Sequence, residues 1–317
     1  MKLQHPSGGN GHSRISRRKF FAAAAAVPLA AVAGNGIAQN IMSNGRQQMN
    51  TASVMNPTPY PVRGDKIALQ LYTIREAIEQ DLKGSLKKIA DLGFTYVETA
   101  FWPAGLSHQT AAGYLKEFGL TPVACHIEIS GDYQQGLLTA RDAYGCTNMI
   151  WHGWPEDARY GSVGGTQELI NLYNTIAAFC KSNGMNFGLH NHWWEFMNKP
   201  GGAFVFEHWL SGLDPSVFFE VDTYWVKVAG HDPAAIIRRL GDRVKFLHIK
   251  DGPARWHPNL AADNPDPMTS VGKGNQDMPS ILSAAAQHDP WLVLEMDKTE
   301  GDVFQKLSES LGYLSSH

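Results

Sequence analysis

The stretches Asn186-Phe-Gly-Leu-His190, Val217-Phe-Phe-Glu-Val-Asp222, Val244-Lys-Phe-Leu-His248 and Trp291-Leu-Val-Leu-Glu295 decide how this chain reads. Each is a short apolar run ending in a side chain able to hold a metal ion. Three are followed at once by more polar residues: Asn191 and His192, Thr223, and Lys250 and Asp251. One polar residue at the end of a buried strand is common. Four such endings in succession, all His, Asp or Glu, point to one shared site. Parallel strands in a barrel open all their ends on one face, where ligands and catalysis gather.

The pattern extends outward from these runs. Ile67-Ala-Leu-Gln-Leu-Tyr72, Phe94-Thr-Tyr-Val-Glu98, Thr121-Pro-Val-Ala-Cys-His-Ile127 and Thr147-Asn-Met-Ile-Trp151 read as strands one to four. Leu82, Leu86, Ile89 and Ala90 share one face of a helix predicted over 81–92 and closed by Gly93. Helical spacing recurs near 110–118, 133–144, 167–182, 203–210, 233–240, 278–287 and 303–314. Short strands alternating with helices imply parallel pairing and right-handed crossovers. Eight such units in about 250 residues is the arithmetic of a (β/α)8 TIM barrel. A doubly wound sheet would ordinarily carry a Gly-rich turn after its first strand, and Tyr72-Thr-Ile-Arg75 is no such turn.

Composition narrows the function. With 43% hydrophobic and 18% charged residues, the 317-residue chain can bury a large core. A net charge of -3 offers no basic stripe for nucleic acid. Cys125, Cys146 and Cys180 have no metal-site spacing and read as buried small residues. Near the N-terminus, Ser16-Arg17-Arg18-Lys19-Phe20-Phe21 precedes an alanine-rich apolar stretch, and Ala31-Val32-Ala33 offers a small-x-small cleavage site. This resembles a twin-arginine export signal over 1–33, which implies a periplasmic protein folded and loaded in the cytoplasm. The stretch is too short to span a membrane. Residues 34–63 read as a flexible linker, leaving 64–317 for the barrel.

Leu69-Gln-Leu-Tyr-Thr-Ile-Arg75, Gly188-Leu-His-Asn-His192, Glu220-Val-Asp-Thr-Tyr224, Leu247-His-Ile-Lys-Asp-Gly252 and Val271-Gly-Lys-Gly-Asn-Gln-Asp277 resemble motifs of the sugar phosphate isomerase/epimerase family. This is the xylose isomerase-like barrel superfamily, which also includes endonuclease IV. The resemblance implies a metal bound at the ends of strands five to eight, commonly by Glu, Asp, His and Glu. Asp222, His248 and Glu295 match the last three, and His190 stands where a glutamate usually opens a Glu-Asn-His sequence. Family epimerases use the first and last glutamates as two bases on opposite faces of the substrate. A metal-bound histidine has no free lone pair, so this departure favours chemistry that one base can perform.

The expected site follows. His190, Asp222, His248 and Glu295 are the candidate ligands of a divalent ion, and this mixed N/O set suits Mn, Zn, Co or Mg. Glu195 is an alternative first ligand. The catalytic candidates are Glu295, His192 and Lys250; His192 and Lys250 each lie two residues past a ligand, on the same side of a strand. Gln70, Glu98, His126, His152, Trp102 and Trp256 are expected to line a substrate pocket, since aromatic faces pack against sugar C–H faces. The 252–276 loop is long enough to be a lid. Gly272-Lys273-Gly274 lacks the spacing of a phosphate loop, and Asp277 before Met278-Pro279 reads as a helix N-cap.

These readings lead to an exported metal enzyme that removes a proton beside the carbonyl of a sugar, with a small-molecule carbohydrate as partner. A lyase or hydratase acting on 3-keto sugars or glycosides is the close variant, and a non-catalytic sugar-binding barrel is the alternative from another class. A homo-oligomer is compatible with any of these.

Overall fold

The computed structural model describes residues 66–155 and 157–317. The expected export signal and linker lie outside the described residues. Eight parallel strands close into a barrel in sequence order: β1 (Ile67–Gln70), β2 (Tyr96–Thr99), β3 (Thr121–His126), β4 (Asn148–Trp151), β5 (Asn186–His190), β6 (Phe218–Asp222), β7 (Val244–Ile249) and β8 (Trp291–Leu294), with β8 pairing back to β1. Each strand lies within two residues of its expected bounds. Helices cover the outside, chiefly α1 (Arg75–Gln80), α2 (Leu82–Asp91), α3 (His108–Glu117), α4 (Tyr133–Tyr144) and α5 (Val163–Ser182) in the first half. The second half adds α6 (Trp194–Met197), α7 (Val205–Gly212), α8 (Thr223–Val228), α9 (Pro233–Leu240), α10 (Met278–Ala285) and α11 (Val303–Ser315). The short α6, three residues after β5, and α8, directly after β6, were not expected.

The alternation of side chains along a strand divides the barrel in two. Ile67, Leu69, Val97, Phe187, Leu189, Val221, Leu247 and Leu292 belong to the main core beneath the helices. The opposite face of the strands supplies a separate apolar plug of Ala68, Ala124, Ile150, Phe218, Phe246 and Val293. Gly188 on β5 pairs with Phe218 on β6, and a Cβ there would meet the Phe218 ring at 2.2 Å. The glycine is therefore the space that the ring fills. One step further along the same strand faces, the plug gives way to polar side chains. Register places His190 opposite Glu220 and Asp222 opposite His248 as cross-strand neighbours.

Candidate active site

The polar layer above the plug draws on every quarter of the barrel. Gln70, Glu98, His152, His190, Glu220, Asp222, His248, Lys250 and Glu295 are all buried. Ionisable groups held in a barrel core carry a large desolvation cost unless they are paired, and these are. The Lys250 ammonium lies 2.8 Å from Asp222 Oδ2, 2.7 Å from Glu295 Oε2 and 2.7 Å from Asp297 Oδ2. His248 faces two sets of carboxylates. Its Nδ1 is 2.5 Å from Glu295 Oε2, and its Nε2 is 2.7 Å from Glu98 Oε2.

The charge states follow from this pairing. Burial pushes the Asp222 carboxyl up to about 6, against the pull of Lys250 and His248. Burial acts the same way on Glu295, but Lys250 and His248 outweigh it and hold the carboxyl well below the usual range. Lys250, despite burial, is held well above its ordinary value by Asp222, Asp297 and Glu295 and stays charged. Burial and the neighbouring cationic side chains push His190 and His192 well down, so both rings are neutral.

Asp222, His248 and Glu295 form a group whose donor atoms lie within 4.8 Å of one another. Asp222 Oδ2, His248 Nδ1 and Glu295 Oε2 are buried and converge, with the Lys250 ammonium balancing the two carboxylates. Three convergent donors of this kind, two carboxylate oxygens and one imidazole nitrogen, fit a divalent cation. The other ring nitrogen, His248 Nε2, faces Glu98 Oε2 and not this group.

The sequence pattern of the xylose isomerase-like TIM barrel family matches residues 86–317. The chain belongs to this family. No curated protein matches it significantly. Among solved structures, it is similar to a sugar phosphate isomerase/epimerase from Parabacteroides distasonis (21% identity, 84% of this chain and 98% of that one, TM-score 0.65). It is also similar to a probable 3-DHS dehydratase from Bacillus anthracis (16%, 79% and 98%, 0.60) and to a D-allulose 3-epimerase from Methylomonas sp. (17%, 79% and 97%, 0.58). At these identities the likeness is one of fold.

Within this xylose isomerase-like barrel, the expected site residues separate. Asp222, His248, Glu295 and Lys250 come together as expected. His190 stands beside them, its Nε2 3.7 Å from Asp222 Oδ2, but its Nδ1 faces Glu220 Oε2 at 3.1 Å. Glu195 joins neither group. Its Oε2 accepts from the His192 backbone N–H, and burial pushes its carboxyl up to about 8. His192 stacks on Trp194 with ring centroids 4.0 Å apart and stands 4.8 Å from the His190 ring.

The expected pocket wall also divides. Glu98 is a buried member of the polar layer, and His126 joins it through Nε2, 2.8 Å from Glu220 and 3.2 Å from Glu98. Gln70 turns its Oε1 to the Tyr72 backbone N–H. Trp102 is tied to α4 by a hydrogen bond to the Tyr144 hydroxyl. His152 stays at the mouth among aromatic rings, and Trp256 is 49% exposed on the loop after β7.

Four residues were not anticipated. Glu220 sits inside an apolar run, two residues before Asp222 and on the same strand face. Asp297 stands in the same relation to Glu295. Phe101, 48% exposed, lies edge-on to His152 and stacks with Trp154. Asp251 is buried and accepts the backbone N–H groups of Gly252, Gly272, Gly274 and Gln276. That one carboxylate gathers the long 252–276 loop, which is folded against the barrel rather than extended from it. Asp277 caps α10 by accepting from Ser280 N–H, as expected.

Proposed function

We propose that this protein is a metal-dependent enzyme that removes a proton from the carbon beside a carbonyl of a sugar or oxidised sugar. The observation that carries this reading is the convergence of Asp222 Oδ2, His248 Nδ1 and Glu295 Oε2, all buried, at the carboxyl ends of β6, β7 and β8. Membership of the xylose isomerase-like family supports it, as do neighbours named as an isomerase/epimerase, a dehydratase and an epimerase.

Asp222, His248 and Glu295 would hold a divalent ion such as Mn, Zn, Co or Mg. When bound, the ion supplies Lewis-acid polarisation of the substrate carbonyl. The protein's own groups do the rest. Glu295, ionised and at the mouth, accepts the proton through the carboxylate oxygen not committed to Lys250. Lys250 keeps its charge and stabilises negative charge as it develops on the substrate oxygen. His192, neutral and with an Nδ1 that makes no hydrogen bond, receives or returns a proton on the β5 side. Phe101, Trp154 and Trp256 are suited to pack against a sugar ring.

A histidine at position 190, in place of a second carboxylate base, favours one-base chemistry, in which a leaving group departs after the proton is removed. We therefore favour 3-keto glycosides as substrates over sugar phosphates. The twin-arginine sequence supports that choice, because it implies work in the periplasm on unphosphorylated sugars. Incubation of the reloaded enzyme with ketoses, sugar phosphates and 3-keto glycosides tests the assignment by product analysis. Release of the aglycone from a 3-keto glycoside is expected; turnover of sugar phosphates alone would reject the substrate class.

A further inference from the structure

Below the Asp222–His248–Glu295 group lies a second convergence of ligand atoms. His126, His190, Glu220 and His248 each bring a donor atom to within 4.8 Å of the others. Glu220 Oε2 is the hub: His126 Nε2 is 2.8 Å away, His190 Nδ1 3.1 Å and His248 Nε2 3.2 Å. Glu98 closes the group, with Oε1 3.2 Å from His126 Nε2 and Oε2 2.7 Å from His248 Nε2. Glu220 Oε1 is buried and has no hydrogen-bond partner. Five strands have therefore spent inward positions on imidazoles and carboxylates at a level where the plug beneath is entirely apolar.

We infer that this layer is a second divalent-cation site, held by His126, His190, Glu220 and the Nε2 side of His248, so that His248 joins two cations through its opposite ring nitrogens. The inference rests on the metal-enzyme reading for the first cation only.

Three arguments support it. The first is spacing. Zinc-to-ligand bonds of about 2.0–2.1 Å place the donors of a tetrahedral site about 3.4 Å apart. The three Glu220–histidine distances, 2.8, 3.1 and 3.2 Å, fall short of this by about 0.2–0.6 Å, so outward shifts of that size open the site.

The second is charge. Glu98, Glu220, Asp222, Glu295 and Asp297 face a single ammonium, that of Lys250. With the ligating imidazoles neutral and one divalent ion in the Asp222 group, two negative charges remain, which is the charge of one more divalent ion. Without it, protons on His126 and His248 must do the work, and buried uncompensated charge is costly. Loading both sites displaces those protons to solvent; a His248 ring bonded through both nitrogens also gives up its last ring proton, and the one negative charge this adds is left for solvent or substrate to balance.

The third is His190. The ring that replaces a glutamate in the motif turns Nδ1 to Glu220, away from the Asp222 group. It is a ligand of the lower site.

The test is zinc stoichiometry of the full chain, stripped with a chelator, reloaded with Zn2+ and dialysed. Two equivalents per chain are expected. His126→Gln and Glu220→Gln, on different strands, should each fall to one, with unfolding transitions that show both variants folded. Asp222→Asn should also fall to one, retaining the lower ion. Loading with Mn2+ gives a second readout: electron paramagnetic resonance should show coupled spins in the wild type and an isolated ion in His126→Gln. One equivalent in the wild type, unchanged by His126→Gln, would overturn the lower site while leaving the upper one standing. No retained zinc would overturn both.

Discussion

The plug and the polar layer occupy alternate positions on the same strands, and they could hardly be built more differently. On β6, Phe218 belongs to the plug, and Glu220 and Asp222 to the layer; on β7, Phe246 is followed by His248, with Lys250 just past the strand; on β8, Val293 is followed by Glu295 and Asp297 just past the strand end. A step of two residues keeps the side chain inside the barrel and changes only its height. Below, close apolar packing stabilises the fold. Above, ion pairs hold the fold at little net gain and concentrate chemistry at the carboxyl ends. Stability and function are thus separated by height along each strand, and substitutions at the two heights should have separable effects.

The largest effect is expected in the upper layer. Glu295→Gln removes the proposed base while keeping the shape, and proton abstraction should fall about 10²- to 10⁴-fold with little change in unfolding temperature. Solvent-exchange kinetics and thermal unfolding of the same sample check both halves of that statement. In the plug, Phe246→Ala should do the opposite. Loss of a buried ring costs about 3–5 kcal/mol, read from denaturant unfolding, while the folded fraction keeps its metal content.

How far this division is legible in sequence depends on the residue. The barrel is legible because each short apolar run is bounded by helical spacing and turn residues. His190, Asp222, His248 and Glu295 stand out because they end those runs. Glu220 is masked by the phenylalanines and valine around it, although strand alternation alone puts it on the same face as Asp222. Asp297 is masked because it follows the end of β8. The pairing of Glu98 with His248 joins residues 150 positions apart, and no local pattern carries it. The twist of Glu195 away from the mouth depends on α6, a helix too short to announce itself.

Smaller effects refine the comparison at the edges of the upper layer. Asp251→Ala strips one acceptor from four backbone N–H groups, each worth about 1–3 kcal/mol if left unsatisfied in the interior. Water will rescue several of them, so the 252–276 loop should become sensitive to limited proteolysis while the barrel remains folded. Glu195 gives a pH signature. Its folded pKa of about 8 lies above the ordinary carboxyl value of 4.5. Its stabilising contribution is therefore complete below that ordinary value and is lost as pH rises toward 8. Glu195→Gln should flatten the fall in unfolding temperature between about pH 5 and 8; an unchanged slope would assign that fall to other groups.

The central claim is that the upper layer is a metal centre for proton abstraction beside a carbonyl. Its most direct test is deuterium uptake from heavy water into a 3-keto glycoside, followed by nuclear magnetic resonance, with the protein stripped of metal and then reloaded with Mn2+ or Zn2+. Exchange at the carbon beside the ketone that vanishes on stripping and returns on reloading is the predicted result. Exchange unaffected by chelation, or none after reloading, would contradict it.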